Sequence, residues 1–280
     1  MGENTRNAEI AFFGGSFTAI DREYMLSLLE AAKPYINSFK GIRISTRPDY
    51  IDDDILILLK KYNVTTIELG AQSMRDEVLA ANSRDHTAHQ VREAFKLIKS
   101  YGFNAGLQMM TGLYKATPEL DMLTAKEFVK LNPDCVRVYP TVVIKDTELA
   151  GLFKSGEYNP YTLEESVELC ADILKLFYDN NIDVIRVGLH YSDSLVKNSL
   201  FDNYHPAFKE LCESKILFDN VKNQLTDYKN IKIYVNPASV SKLVGQKRSN
   251  IIELDSLGYS VSVDKDPSLL KYEVRVEEQR

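Results

Sequence analysis

The sequence predicts an α/β protein built on a parallel sheet. Short apolar, β-branched runs alternate with longer amphipathic stretches between Ile10 and Val187. Because each strand-like run is followed or preceded by a helix-like stretch, successive strands are expected to lie parallel and to be joined by right-handed crossovers. The runs also lack a strict polar alternation, which is typical of strands that are covered on both faces.

Six strands and five helices are expected in this series. The expected strands are Ile10–Phe13, Ile42–Ser45, Thr66–Leu69, Ala105–Met110, Cys135–Tyr139 and Val184–Val187. The expected helices lie near Arg22–Lys33, Asp52–Tyr62, His89–Ser100, Glu119–Leu131 and Thr162–Asn180. This spacing suits either an open doubly wound sheet or a barrel.

Small and polar residues directly after several strands favour the barrel. In a barrel these strand ends converge on one mouth, which is where the functional site lies. The residues concerned are Gly14-Gly15-Ser16, Ser45-Thr46-Arg47, Gly70-Ala71-Gln72 and Gly112.

The chain changes character after about residue 202. Residues 1–202 are predicted to form the barrel core, and residues 203–230 a helical extension. Residues 231–280 are predicted to form a small α+β module in the order β-α-α-β-β. Its expected elements are Ile231–Val235, Ala238–Gly245, Ser249–Ser256, Tyr259–Val263 and Leu270–Val276.

Composition excludes several classes of protein. The 280 residues are 44% apolar, enough for a large core, yet they contain no run of 18 apolar residues that could cross a membrane. The N-terminus is polar and does not resemble a secretion signal. The three cysteines, Cys135, Cys170 and Cys212, are too few and too scattered for a disulfide framework, which favours the reducing cytoplasm. The net charge of −6 argues against a broad, nonspecific grip on nucleic acid.

The stretch IAFFGGSFTAI, residues 10–20, poses the main functional question. Gly14 and Gly15 follow an apolar strand, and glycine lets the backbone approach a ligand closely. The alternative is a tight turn in which Ser16 or Thr18 caps the next helix. The stretch is neither a dinucleotide fingerprint nor a phosphate-binding P-loop, since the third glycine and the lysine of those motifs are absent.

Other strand ends carry groups that can bind ligands. Arg47 follows Ser45 and Thr46, and a guanidinium there could hold a carboxylate or phosphate, although a surface arginine in a capped loop is the alternative. Gln72 offers both a donor and an acceptor, as a ribose or an amide requires.

The histidines do not predict a metal site. His86 and His89 are spaced as a metal pair, but no third ligand is near, and capping by Thr87 explains the segment more plainly. His190 stands alone at a strand end. Since no nucleophile elbow, zinc motif or carboxylate pair stands out, any chemistry is expected to belong to a bound cofactor.

Taken in order, these stretches resemble the radical S-adenosylmethionine (SAM) superfamily, and most of all the tRNA-modifying relatives of the Elongator catalytic subunit. The resemblance covers roughly residues 9–215. It implies a partial (β/α)6 TIM-like barrel that holds a [4Fe–4S] cluster and SAM at its mouth. The pieces that carry it are FFGGSFT, STRPDYI, IELGAQS, the run Arg84-Asp85-His86-Thr87, GLQMMTGLY, VRVYPTVVIKDTELAGLFKSGEY and YHPAFKEL.

The resemblance also assigns expected roles in binding SAM. Gly14, Gly15 and Ser16 fall where the family holds the amino group of the methionine part. Tyr139 and Pro140 fall near the adenine. Ser45, Thr46 and Arg47 line the same mouth, and the ribose and carboxylate contacts fall on Gln72, Arg84 and Gln108.

Three departures from the family pattern qualify these expectations. The cluster requires a CxxxCxxC loop, which Cys135, Cys170 and Cys212 cannot form, and two of them lie in apolar patterns typical of buried side chains. The chain is therefore expected to lack the family's first strand and cluster loop, to bind no cluster alone and to be inactive alone. Asp85 replaces a frequent glycine. The acetyltransferase domain of the Elongator subunit is absent from this sequence, so acetyl-CoA chemistry is not supported.

The C-terminal module resembles a KH RNA-binding domain in its order of elements. Its loop between helices reads Gly245-Gln246-Lys247-Arg248, whereas a KH loop ends in a second glycine. Lys242, Lys247 and Arg248 supply positive charge for a contact with tRNA or other RNA, and the alternative is a solvated basic turn.

Three functions are weighed on this basis. The leading hypothesis is a radical SAM enzyme core that acts on RNA or another large substrate. The second is a cluster-free relative that serves as an RNA-binding or scaffold module. The third is a barrel enzyme that uses Arg47, Arg137 and His190 on an anionic substrate. Without the first strand of the barrel, the strand Ile10–Phe13 is also expected to form an exposed edge and to promote self-association.

Overall fold

The chain divides by its internal contacts into two units. A computed structural model describes residues 5–279. The first unit comprises the residues up to Pro160 together with Leu176–Val187, and the second comprises Tyr161–Lys175 together with the residues from Gly188 onward. These boundaries differ from the predicted domains 1–202, 203–230 and 231–280, which stay a prediction.

The first unit is a six-stranded parallel sheet with helices between its strands. The strands follow one another in chain order across the sheet, and each pairs in parallel with its neighbour. This arrangement confirms the predicted partial barrel of parallel strands. Its elements are β1 (Glu9–Phe12), α1 (Arg22–Ala32), β2 (Gly41–Thr46), α2 (Asp53–Lys61), β3 (Val64–Gln72), α3 (Asp76–Ala81), α4 (Ala88–Ser100), β4 (Asn104–Thr111), α5 (Pro118–Leu131), β5 (Cys135–Pro140), α6 (Glu148–Ser155), α7 (Leu163–Asp179, which belongs in part to the second unit) and β6 (Asp183–Val187).

Side-chain caps set where the helices of the first unit begin. The Asp52 carboxylate accepts the backbone N–H of Ile55 at the start of α2, and Thr87 forms a capping box with Gln90 at the start of α4. Asp21 accepts the backbone N–H of Tyr24 and caps α1. The alternative in which Ser16 or Thr18 caps this helix is therefore wrong.

Two helices of this unit were not expected from the sequence. They are α3, with six residues, and α6, with eight. Helices this short contain barely two turns, so an apolar periodicity of 3.6 residues cannot be read from them. Both lie in loops that follow the carboxyl ends of strands.

The second unit contains the rest of the helices and a three-stranded sheet. Strand β7 is central, and it pairs in parallel with β8 and antiparallel with β9. The elements occur in the predicted β-α-α-β-β order. They are α8 (Asp193–Asn198), α9 (Phe208–Lys222), β7 (Asn230–Val235), α10 (Val240–Val244), α11 (Ser249–Ser256), β8 (Ser260–Lys265) and β9 (Val274–Glu278).

The predicted helical extension is too long at both ends. Helix α9 occupies only Phe208–Lys222 of residues 203–230. Pro206 disfavours helical backbone at the residue before it. Beyond the helix, the Gln224 side-chain amide donates to the carbonyl of Val274 and accepts the N–H of Val276, so it holds the following loop against β9.

Within the described part of the chain, no helix is both long enough and apolar enough to cross a membrane.

Candidate functional site

A cavity of about 300 Å³ lies at the carboxyl ends of the strands of the first unit. Parallel strands place their carboxyl ends on one side, so residues far apart in sequence meet there. The cavity is lined by Phe13, Gly14, Gly15, Ser16, Ser45, Thr46, Arg47, Gly70, Gln72, Arg84, Gln108 and Tyr139.

The structure brings together nearly all the residues that were predicted to bind SAM. Pro140 is the exception, since it is buried at the end of β5 and does not line the cavity. Phe13 lines the cavity although it was not among the predicted site residues. Its ring is 54% exposed and lies over the guanidinium of Arg137, 4.8 Å from ring centroid to Cζ. Its place directly before Gly14 was the available signal.

Only one of the two glycines at the cavity is required by its backbone conformation. Gly14 has a φ of +114°, which side-chain-bearing residues rarely adopt. Gly15 has no positive φ, and a Cβ built on either glycine would meet no atom within 4 Å. Packing within the described chain therefore does not require a glycine at position 15, and the space beside its backbone is open.

The two arginines of the cavity differ in whether their guanidinium groups have partners. Arg47 binds Asp49 through two hydrogen bonds of 2.9 and 2.6 Å, and Asp85 at 3.3 Å. The guanidinium of Arg84 makes no hydrogen bond or ion pair with any residue of the described chain, and only its backbone N–H is bonded, to the carbonyl of Leu79. Its partial burial, followed by repulsion from Arg47, lowers the pKa of Arg84. An unpaired, partly buried guanidinium in a cavity is a binding group for an anion such as a carboxylate.

The hydroxyl group of Thr46 is hydrogen-bonded to the glycine loop, the segment after β1 that contains Gly14 and Gly15 and ends at Thr18. The Thr18 hydroxyl donates to the carbonyl of Tyr50 at 2.8 Å, and 2.5 Å separates the two threonine hydroxyl oxygens. Because the hydrogen of Thr18 is already used, Thr46 donates and Thr18 accepts. The Thr46 hydroxyl therefore ties the end of β2 to the loop after β1.

A bulge at the end of β3 brings Gln72 to the cavity. The register between β3 and β4 shifts between Leu69 and Gln72, and Gln72 has a φ of +63°. The ring of His86 is 3% exposed, and its Nε2 lies 3.1 Å from the carbonyl oxygen of Ala71, next to Gln72. Burial lowers the pKa of His86, so the ring is neutral and donates from Nε2. Its Nδ1 has no partner in the described chain.

The histidines do not form a metal pair. His86 is buried against a backbone carbonyl, whereas His89 is exposed on α4. Among residues 5–279, no group of three His, Cys, Asp or Glu side chains could hold a metal ion. The three cysteines are buried thiols outside any disulfide, and burial raises the pKa of the thiols of Cys135 and Cys212. These residues do not fit a [4Fe–4S] cluster.

A buried ionic network lies beside the cavity, inside the sheet. Glu68 accepts hydrogen bonds from Arg43 at 2.8 Å and from Arg137 at 2.5 and 3.0 Å, and Arg43 also binds Glu9. Burial alone would raise the pKa of Glu68, but the hydrogen bonds from Arg137, Gln108 and Arg43 outweigh it and lower the pKa. Glu68 is therefore ionised, and the guanidinium of Arg137 is occupied by its two hydrogen bonds to this carboxylate.

Models of two protein families match the chain in consecutive segments. The model of the Radical SAM superfamily matches residues 2–125, and that of the Radical_SAM C-terminal domain matches residues 133–217. The chain belongs to the radical SAM superfamily. This result confirms the resemblance that the strand-end motifs indicated.

Proteins similar to this radical SAM chain include an archaeal tRNA acetyltransferase and eukaryotic Elongator complex proteins. The chain is 33% identical over 195 residues to the "tRNA uridine(34) acetyltransferase" of Methanocaldococcus jannaschii, and the match covers 61% of the chain and 36% of that protein. It is 34% identical over 198 residues to the human "Elongator complex protein 3", with 63% and 36% covered. The chain thus matches about a third of the length of these relatives.

A solved structure supports the radical SAM fold. "The archaeal Methanocaldococcus infernus Elp3 with N-terminus deletion (1-46)" superposes with a TM-score of 0.68 and 24% sequence identity. The superposition covers 79% of this chain and 55% of that chain. At this identity the likeness concerns the fold alone.

The second unit places the predicted RNA contacts on and beside one turn. Lys247 and Arg248 are exposed, have left-handed backbone angles and make no ion pair within the described chain. Lys242 instead binds the buried carboxylate of Glu213 at 2.6 Å. Lys242 is therefore part of the packing of α10 on α9 rather than a free cation.

Proposed function

We propose that the cavity binds SAM and that the chain is the SAM-binding part of a radical SAM enzyme. The observation that carries the proposal is the unpaired guanidinium of Arg84 in a cavity that otherwise satisfies its charges. Leaving a partly buried charge without a partner is costly, and a ligand carboxylate offsets that cost. The methionine part of SAM carries such a carboxylate.

The glycine loop fits the rest of the methionine part. The open space beside Gly14 and Gly15 lets a ligand lie against the backbone, where carbonyl oxygens accept hydrogen bonds from an ammonium group. Ser16 adds a hydroxyl at the same place. Tyr139 lies at the end of β5, where the resemblance places the adenine, and the exposed ring of Phe13 adds a second flat surface.

In this superfamily, SAM together with a reduced [4Fe–4S] cluster supplies a 5′-deoxyadenosyl radical. The described residues do not fit the cluster, and we assign its ligands to a preceding segment of the polypeptide. This chain's own residues bind and orient the cofactor: Arg84 holds the carboxylate, Gly15 and Ser16 hold the amino end, and Thr46 keeps their loop in place.

The enzyme proposal is tested with a version of the protein extended upstream of Met1 that includes an in-frame CxxxCxxC. After anaerobic reconstitution with iron and sulfide, it should release 5′-deoxyadenosine from SAM, as measured by chromatography. The same protein with Arg84→Met should release far less. Failure of the extended protein to form 5′-deoxyadenosine would contradict the enzyme proposal and favour the hypothesis of a scaffold module.

We also propose that the substrate is RNA, held in part by the C-terminal module. The support is the similarity to an archaeal tRNA uridine acetyltransferase and the exposed, unpaired charges of Lys247 and Arg248. Cationic side chains on an exposed turn bind phosphate groups with an affinity that falls as the salt concentration rises. Lys242 contributes only by its place beside this turn, because its ammonium group is bound to the carboxylate of Glu213.

The RNA proposal is tested by comparing two double variants of equal charge. Lys247→Ala/Arg248→Ala should weaken binding of tRNA in a gel-shift assay. The control Lys96→Ala/Lys130→Ala removes two cations that pair with glutamates on α4 and α5. Equal weakening by both variants, or equal affinity of the unchanged chain for tRNA and an unrelated polyanion, would contradict a specific RNA site.

The hypothesis of an ordinary barrel enzyme loses its support in the structure. Arg137 is bound by two hydrogen bonds to Glu68, Arg47 is bound to Asp49, and His190 is not among the residues that line the cavity. None of these three provides a free acid or base at the cavity.

A further inference from the structure

Both hydrogens of the Gln108 side-chain amide are used within the chain. Its Nε2 lies 2.9 Å from the Ser45 hydroxyl oxygen and 2.9 Å from Oε2 of Glu68. An amide nitrogen has only two hydrogens to donate. Because Gln108 also lines the cavity, its carbonyl oxygen Oε1 is the atom that remains for a ligand.

The charge of Glu68 prevents the amide from turning over. Glu68 is 1% exposed and is held by the guanidinium groups of Arg43 and Arg137, so it is a carboxylate that only accepts hydrogen bonds. A turned amide would place its carbonyl oxygen against this carboxylate, and two acceptors would then face each other without a hydrogen.

Packing keeps the carboxylate where it is. A Cβ on Gly106, which pairs with Glu68 across the sheet, would lie 2.8 Å from the Cγ of Glu68 and 2.9 Å from the sulfur of Cys135. Glycine at position 106 is therefore needed to make room for the Glu68 side chain. The orientation of Gln108 is thus fixed by a rigid buried group and not by a mobile neighbour.

We propose that Glu68 is a positioning residue that fixes Gln108 as a hydrogen-bond acceptor, so that the ligand group at Gln108 is a donor. Of the two groups that the resemblance places at Gln72, Arg84 and Gln108, this selects the ribose hydroxyl and not the carboxylate for Gln108. The inference rests on the proposed function. It assigns the hydrogen-bond donors of the ligand to the Gln108 side of the cavity and the carboxylate to the Arg84 side. A carboxylate cannot lie against Gln108, since both would be acceptors, and it belongs with Arg84. A ribose lies on the Gln108 side.

The ligand part is tested with 5′-methylthioadenosine and its 2′-deoxy and 3′-deoxy analogues, whose affinities are measured by calorimetry or ligand-observed NMR. One deoxy analogue should bind the unchanged chain about tenfold more weakly, because it leaves the Gln108 oxygen unpaired. The variant Gln108→Leu should bind that analogue and the parent compound about equally. Equal binding of all three compounds to the unchanged chain would overturn the ligand assignment.

The positioning role is tested by comparing Glu68→Gln with Glu9→Gln. An amide at position 68 can donate, so Gln108 is free to turn and the discrimination between hydroxyl and deoxy ligands should disappear. Glu9→Gln removes a carboxylate from the same network through its bond to Arg43 without touching Gln108, and it should keep the discrimination. A merely structural role of Glu68 would change affinity and leave this ratio intact.

The orientation of the Gln108 side-chain amide can also be tested without a ligand. The side-chain amide hydrogens of Gln108 should exchange slowly with solvent in the ¹⁵N-labelled chain and rapidly in Glu68→Gln. Where Glu68→Gln does not fold, fast exchange in the unchanged chain is the contradicting result. If the unchanged chain bound none of the three compounds, the proposed function and the ligand assignment would both fall, whereas slow amide exchange would still support the role of Glu68.

Discussion

His86 donates the hydrogen of its Nε2 to the carbonyl oxygen of Ala71, 3.1 Å away. Ala71 precedes Gln72 in the bulge of β3, and Arg84 lies two residues before His86. One buried hydrogen bond therefore links the loop that carries the unpaired arginine to the strand end that carries the glutamine. The bond couples two sides of the cavity.

Replacing His86 should show whether this bond matters for the site. His86→Leu removes one of two hydrogen bonds to the Ala71 carbonyl, whose other donor is the backbone N–H of Ser73. It should therefore lower the free energy of unfolding by about 0.5–1.5 kcal/mol and weaken SAM binding. His86→Gln keeps a donor near the Nε2 position and should recover most of the binding. Chemical denaturation and SAM titration measure both. Equal binding by the two variants would show that the Ala71 bond does not set the cavity.

The buried imidazole also makes stability depend on pH. Burial holds the pKa of His86 below its ordinary 6.5, so between 6.5 and the lower folded value the unfolded chain binds a proton that the folded chain does not. Stability is therefore complete above pH 6.5 and falls as the pH decreases below it. Denaturation of the unchanged chain between pH 7.5 and pH 5.5 should show this loss, and His86→Gln should show less of it. Parallel curves for the two proteins would contradict the assignment.

The two glycines of the cavity should separate binding from stability. Gly15→Ala meets no steric obstacle, so its free energy of unfolding should stay within about 1 kcal/mol of the unchanged chain while SAM binding falls. Gly14→Ala forces a φ of +114° on a side-chain-bearing residue and should cost about 1–3 kcal/mol. Thermal unfolding and ligand titration distinguish them. Unchanged binding by Gly15→Ala would show that no ligand lies against this loop.

Strand β1 should promote self-association of this chain. Within residues 5–279 it pairs only with β2, and it exposes Ala11 between the half-buried apolar side chains of Ile10 and Phe12. Light scattering should detect association that increases with concentration and decreases in Ala11→Lys. The control Ser27→Lys adds the same charge on the exposed side of α1 and should have no effect. A monomer at high concentration would refute the prediction.

Local patterns were enough to predict the six strands and most of the strand-end loops at the cavity, whereas Arg84 and Gln108 were expected there only from the family resemblance. Each strand is a run of apolar residues, and the parallel order alone places the loops after β1 to β5 on one side. The network around Glu68 was beyond such reasoning, because Arg137 lies 69 residues from its partner and nothing local marks the pair. The end of α9 was mispredicted for the same reason, since Gln224 bonds to backbone 50 residues away.

The central claim is that Arg84 holds the carboxylate of SAM, and a cycle of two ligands and two proteins tests it most directly. SAM and decarboxylated SAM are titrated into the unchanged chain and into Arg84→Met, which should fold at least as stably because an unpaired charge is removed. Loss of the carboxylate should weaken binding to the unchanged chain about 10- to 100-fold and have little effect on Arg84→Met. Equal affinity of the unchanged chain for both ligands would contradict the account.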